Sequence, residues 1–184
     1  MKTLFSAAVA LTVLMMDLAL AQERKVEVLS DIVYTTVNGR ELKLDLARPA
    51  EQSRPVPAIM AIHGGAWRAG NKADLRNLLV EFAEAGYVAV SPEYRFCPEH
   101  TFPAQIHDVK AAVRWLRNNA KAYGVDPDRI GAVGFSAGGH LALLLGLTQE
   151  ADGLEGPTED QAPSSHVSAV VNFFGPTDLA AEDL

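Results

Sequence analysis

Cysteine is almost missing from this sequence. Cys97 stands alone among 184 residues, so no intramolecular disulfide and no four-thiolate zinc site can form. A disulfide-stapled scaffold is excluded. Basic charge is also in short supply: 16 Lys+Arg against 23 Asp+Glu leave a net charge of −7. A protein that grips a phosphate backbone needs a concentrated basic face, so nucleic acid is ruled out as the expected partner. Internal repeats and low-complexity tracts are absent. With 48% hydrophobic and 21% charged residues, the chain is neither disordered nor fibrous, and its length suits one packed domain better than two. Its stability must come from an ordinary apolar core.

The only long apolar run opens the chain. Lys2 precedes an apolar stretch from Leu4 to Met16, and Ala19-Leu20-Ala21 follows before the polar Gln22-Glu23-Arg24-Lys25. A basic start, a short apolar middle and an A-x-A ending describe a secretory signal peptide over residues 1–21. As a helix the run would span only about 20 Å of a roughly 30 Å hydrocarbon layer, so no stable membrane span is expected after cleavage. The expected location is secreted or periplasmic.

Residues 22–184 alternate strand and helix. Ile32–Val37 and Leu42–Ala47 flank Asn38-Gly39, the strongest short hairpin signal. Pro57–Ile62 is a nearly continuous apolar run of strand length, as a strand buried on both faces of a parallel sheet requires. Asn71 and Asp74 cap a helix carrying Leu75, Leu78, Leu79 and Phe82, and Gly86 stops it. Tyr87–Val90 reads as the next strand. Pro103 opens a helix whose apolar residues Ile106, Val109, Val113 and Leu116 share one face. Ile130–Phe135 is a strand, Gly138–Leu147 a leucine-rich helix, and Val167–Phe174 a further strand. The acidic Thr148–Ser165 stretch, rich in Gly and Pro, reads as a surface loop. The fold class is therefore α/β: a mostly parallel sheet opened by an antiparallel hairpin, with helices on both faces.

The chemistry concentrates on one turn. Gly134-Phe135-Ser136-Ala137-Gly138 is a G-x-S-x-G pentapeptide between a strand and a helix, the context a nucleophile elbow needs. A sharp strand-to-helix turn leaves no room for side chains beside the serine. Gly134 and Gly138 thus allow Ser136 to project from the carboxyl end of the sheet, with the Ala137 N–H aimed where an oxyanion would form. His63-Gly64-Gly65-Ala66-Trp67 follows another core strand, and the small residues Gly64, Gly65 and Ala66 can bring backbone N–H groups within about 3 Å of a substrate oxygen. His63 is expected to brace this loop rather than act as base, and Trp67 to pack.

These segments, together with SPEYRFCPEHTFPAQIHDVKAAVRWL at 91–116 and DPDRIGAVGFSAGGHLALLL at 126–145, resemble the α/β-hydrolase superfamily. More narrowly they resemble its esterase/lipase group, which includes hormone-sensitive-lipase-like carboxylesterases and secreted acetylxylan or feruloyl esterases. The resemblance implies Ser136 as nucleophile, Gly65, Ala66 and Ala137 as oxyanion donors, and cofactor-free acyl transfer to water. Its expected substrate is a small-molecule or polysaccharide-linked ester.

Other residues are weighed against plainer roles. Tyr94, Arg95 and Asp108 form either a buried brace beneath the HGGAW loop or a surface ion pair. His140 lies one turn after Ser136 and is expected to pack along its helix. Cys97 is read as a small, partly buried loop residue.

The triad order Ser, acid, His requires two partners after Ser136. Asp152, Glu155, Glu159, Asp160 and His166 are expected at the far end of the sheet as solvated loop charges. Asp178 is the carboxylate that returns to the serine's end, although the resemblance places the acid after a later strand. No histidine follows it. Residues 22–184 are accordingly expected to be the N-terminal part of one α/β-hydrolase domain that lacks its base. The alternatives are an aryl formamidase-like hydrolase and a non-catalytic binding protein on the same fold. Only about ten residues of the mature chain precede the first expected strand, so a large N-terminal cap over the site is not expected.

Overall fold

A computed structural model describes residues 25–158 and 160–179; the expected signal peptide lies outside them. Six strands form one sheet: β1 (Val26–Val37), β2 (Arg40–Pro49), β3 (Val56–Ile62), β4 (Val88–Pro92), β5 (Val125–Phe135) and β6 (Ala169–Phe173). Their spatial order is β1-β2-β4-β3-β5-β6. β1 and β2 pair antiparallel, β2 pairs antiparallel with β4, and β4, β3, β5 and β6 run parallel. The expected fold class holds.

The hairpin turn is the one its sequence specifies. Asn38 (φ 50°) and Gly39 (φ 81°) both occupy the left-handed region, as a two-residue I′ turn demands, and Val37 pairs directly with Arg40. β1 starts at Val26 rather than Ile32. A bulge between Leu29 and Ile32, with Asp31 at φ 60°, breaks the alternation on which the sequence reading relied. β5 likewise starts before Ile130: Val125 pairs with Val56, and the register then shifts until Ile130 meets Ala58. Asp126 organises that bulge by accepting from Asp128 N at 3.1 Å and Arg129 Nε at 2.7 Å.

The described residues form four α-helices: α1 (Arg76–Glu84), α2 (Ala104–Asn118), α3 (Ala120–Tyr123) and α4 (Ala137–Leu147). The Asn71/Asp74 capping box closes a 3-10 turn over Lys72–Leu75, and α1 continues from it to Gly86 at φ 97°. Burial on both faces explains the unbroken apolar run of β3. Met60 and Ile62 pack with Val109, Val113 and Leu141 of α2 and α4, while Ala61 packs with Leu79 and Ala83 of α1. The α1 side of β5 and β6 carries Val133, Phe135, Val171 and Phe173, with the two Phe rings stacked at 5.0 Å and Phe173 exposed. Among the described residues, no helix is long and apolar enough to cross a membrane.

One expectation fails in the loop after α4. Glu155 is not a solvated charge. Lys110, fully buried in α2, bonds to Glu155 Oε1; Arg114, one turn on, donates to Oε2 at 2.9 Å and to the Glu155 carbonyl at 3.0 Å; Ser165 Oγ adds 2.6 Å to Oε2. Two cations sunk into a helix face need a counter-charge because desolvation is otherwise unpaid. Burial pushes the Glu155 carboxyl up, but the Lys110 and Ser165 hydrogen bonds outweigh it and hold the group below the usual range. Asp152, Asp160 and His166 are exposed, as expected, and Glu159 lies outside the described residues.

Glu155→Ala should therefore lower the unfolding free energy by about 3 kcal/mol, since it leaves two buried cations without a partner. Asp160→Ala should stay within about 0.5 kcal/mol. Urea titration of both variants reads the difference.

Candidate active site

Ser136 sits between β5 and α4 at φ 53°, ψ −122°, a strained conformation for a residue with a side chain. The surroundings enforce it. Ser136 N donates to Phe173 O at 2.9 Å, and its carbonyl accepts from His140 N at 3.1 Å. A Cβ on Gly134 would collide with the Gly138 carbonyl, and one on Gly138 would collide with the carbonyls of Ile62 and His63. The glycines of the pentapeptide are thus explained by backbone-to-backbone contact. The Ala137 N–H belongs to the first turn of α4, where early N–H groups lack intrahelical partners and the helix end favours negative charge.

The loop after β3 lies directly against this turn. A Cβ on Gly64 would stand 2.8 Å from Phe135 O and 3.2 Å from Ser136 Cβ. Gly65 (φ 116°), Ala66 (φ 52°), Trp67 (φ 57°) and Gly70 (φ 114°) are all left-handed, so the loop folds back on itself. Arg68 N and Ala69 N both donate to Gly65 O, at 2.9 and 3.0 Å. Gly65 and Ala66 remain exposed. The structure therefore sets Gly64 directly against Ser136 and its neighbour Ala137, with Gly65 and Ala66 next in the same exposed loop.

His63 is 2% exposed, and its Nδ1 lies 2.7 Å from Gly64 O. Its ring stacks on Tyr94 at 4.5 Å. Tyr94 Oη donates to His63 O at 3.0 Å and Gly64 O at 3.3 Å. Next to it, Arg95 forks onto Asp108: Nη2 reaches Oδ1 at 2.8 Å, Nε reaches Oδ2 at 2.9 Å, and Arg95 N adds 2.9 Å to Oδ2. Asp108 is 2% exposed, so the brace is buried and the surface-pair alternative is set aside. His140 meets Trp67 edge-on at 5.3 Å, and half-buried Cys97 donates to His100 O at 3.3 Å; both fill packing roles.

Asp178 is exposed and follows β6, which runs parallel to β5 and so ends on the same side as Ser136. Asn172, missed in the sequence, makes the connecting turn. Its Oδ1 accepts from Gly175 N at 2.8 Å, and the turn packs so tightly on α4 that a Cβ on Gly139 would strike that oxygen. No spacing ties residue 172 to 139; the β5–β6 register does. Among the described residues, no group of three His, Cys, Asp or Glu could hold a metal ion.

A tight serine turn packed against a glycine loop, on a sheet of this order, has a match in known proteins: the BD-FAE family model aligns with residues 44–183. The chain belongs to the BD-FAE family. That places it in the esterase/lipase group of α/β-hydrolases. It is 38% identical over 144 residues to the probable carboxylic ester hydrolase LipM of Mycobacterium tuberculosis, covering 77% of this chain and 33% of LipM. To esterase LipQ of the same organism it is 38% identical over 153 residues, 82% of this chain and 36% of LipQ. The chain spans about a third of the length of these curated relatives. Among solved structures, propionate-bound Est2, a thermophilic esterase of Thermogutta terrifontis, superposes with a TM-score of 0.71 at 34% identity, covering 84% of this chain and 55% of Est2. Esterase 2 of that organism phosphorylated by paraoxon superposes at 0.72 and 34% identity, covering 89% and 61%.

Two predictions follow the geometry of this BD-FAE site. Asp108→Asn, which keeps the shape but strands the Arg95 charge, should cost about 3 kcal/mol in denaturant unfolding. Burial also pushes the imidazoles of His63, His107 and His140 below the usual histidine value. Below about pH 6.5 the unfolded chain takes up protons that the folded chain refuses; above it both states are neutral there. Stability should fall from about pH 7.5 to about pH 5.5 in urea unfolding, and His63→Gln should flatten that slope.

Proposed function

We propose that this chain carries the nucleophile and oxyanion hole of a secreted or periplasmic serine carboxylic-ester hydrolase. The observation that carries the reading is the strained Ser136 at the N-terminus of α4 with Gly64 packed against it. Ser136 Oγ attacks the ester carbonyl. The tetrahedral oxyanion accepts hydrogen bonds from Ala137 N–H and from the Gly65 and Ala66 N–H groups, with Gly64 allowing the approach. Collapse expels the alcohol, and water then releases the acid from the acyl-serine.

Ser136 must lose its proton in the first step. His63 is engaged with Gly64 O and His140 with Trp67, so neither is assigned as base. We assign that role to the part of the relatives' length that this chain does not span, with Asp178 as the candidate acid at the elbow end of β6. Short acyl groups, acetyl above all, and feruloyl esters are the proposed substrates, free or attached to polysaccharide. Propionate and butyrate bound to the Thermogutta terrifontis esterase support short acyl groups. The ester-hydrolase names of the relatives favour esters over an aryl formamide. No cofactor is proposed.

In the complete gene product, where the base is supplied, paraoxon should leave one phosphoryl adduct on Ser136, read by peptide mass spectrometry and lost in Ser136→Ala. In the complete gene product, that variant should lower p-nitrophenyl acetate hydrolysis at least about 10³-fold. Turnover that survives the substitution would sink the assignment.

A further inference from the structure

The loop that presents Gly65 and Ala66 is held under strain. Ala66 and Trp67 carry side chains, yet both sit in the left-handed region, and such a conformation persists only when the surroundings over-determine it. Its upstream end is fixed by Tyr94. Its downstream end runs through Gly70 and Asn71 into Lys72, whose side chain is 8% exposed despite its charge.

Three carboxylates from three different elements converge on Lys72 Nζ. Asp31 Oδ1, in the β1 bulge, lies at 2.9 Å; Asp45 Oδ1, on β2 and 1% exposed, at 3.3 Å; Glu93 Oε1, immediately after β4, at 3.9 Å. Arg76 shares Asp45 at 3.5 Å, and Glu93 is itself held by Lys43 N at 3.1 Å. The Asp31 bulge is fixed to the same point, since Asp31 N donates to Asp45 Oδ1 at 3.1 Å. Glu93 and Tyr94 are consecutive, so one short segment beyond β4 reaches both ends of the loop. A buried cation that ties three strands to the loop exit does more than neutralise Asp45, for which Arg76 is already at hand.

We propose that Lys72 is a positioning residue for the oxyanion hole: its three-carboxylate anchor fixes the exit of the 63–71 loop and so keeps the Gly65 and Ala66 N–H groups aimed beside Ser136. This rests on the oxyanion role given to those groups above. It predicts a local loosening when the anchor is cut.

Hydrogen exchange read by mass spectrometry on the full chain tests it without requiring turnover. Lys72→Met should speed exchange in peptides covering residues 63–71 about tenfold while peptides from β5 keep their rates. Lys72→Arg should restore most of the protection, and Glu41→Gln, cutting the exposed Lys43–Glu41 pair on β2, should change neither region. Should Lys72→Met fail to fold, Asp31→Asn removes one arm of the anchor at a position where asparagine tolerates the left-handed backbone, and should give about a threefold local rise. Unchanged loop exchange, or an equal rise in β5, overturns the proposal. Fluorophosphonate labelling of Ser136 in the complete gene product supplies the second readout: a rate about tenfold lower in Lys72→Met supports positioning, and an unchanged rate overturns it. If the unsubstituted complete gene product takes no label, the nucleophile reading fails, and loop exchange alone decides the Lys72 assignment.

Discussion

Backbone pressed against backbone at the carboxyl ends of β3 and β5 is the constraint on which the rest of this structure depends. Gly138 meets the carbonyls of Ile62 and His63, Gly134 meets Gly138, and Gly64 meets Phe135 and Ser136. At such distances a single methyl group must displace main chain, which a close-packed interior resists. The contact brings the first turn of α4, the loop after β3 and the serine hydroxyl together. Shape there is set by what side chains are missing.

Holding that contact requires side chains that are present. Glu93, Tyr94 and Arg95 leave β4 in three directions: to Lys72, to the carbonyls of His63 and Gly64, and to Asp108 on α2. All three links end on buried or half-buried groups, where breaking one partner costs far more than it would on the surface. The Lys110–Arg114–Glu155 cluster applies the same logic lower on α2, fixing the loop that returns the chain to β6. Polar groups thus determine geometry in a fold whose bulk stability is apolar.

Much of this was legible in order of residues. Asn38-Gly39 specifies its turn through positive φ, β3 declares two-sided burial through its unbroken apolar run, and Ile106, Val109, Val113 and Leu116 name the buried face of α2. What escaped were features whose cause lies far away in sequence. The early start of β1 hides behind a bulge that shifts its alternation. Glu155 looks like any acidic loop residue until Lys110 and Arg114, more than forty positions earlier, are found beneath it. Asn172 carries no motif, and only strand register sets it beside Gly139.

The sequence by itself determined the elements and the chemical types at the site, because turns, periodicity and the G-x-S-x-G pentapeptide are local and obey steric rules a few residues long. Tertiary structure alone decided which charges are buried, which carbonyls the tyrosine holds, and that Lys72 stands among Asp31, Asp45 and Glu93. The physical reason is range: backbone preference acts between neighbours, whereas desolvation and charge pairing act between whatever groups the sheet order brings within about 4 Å.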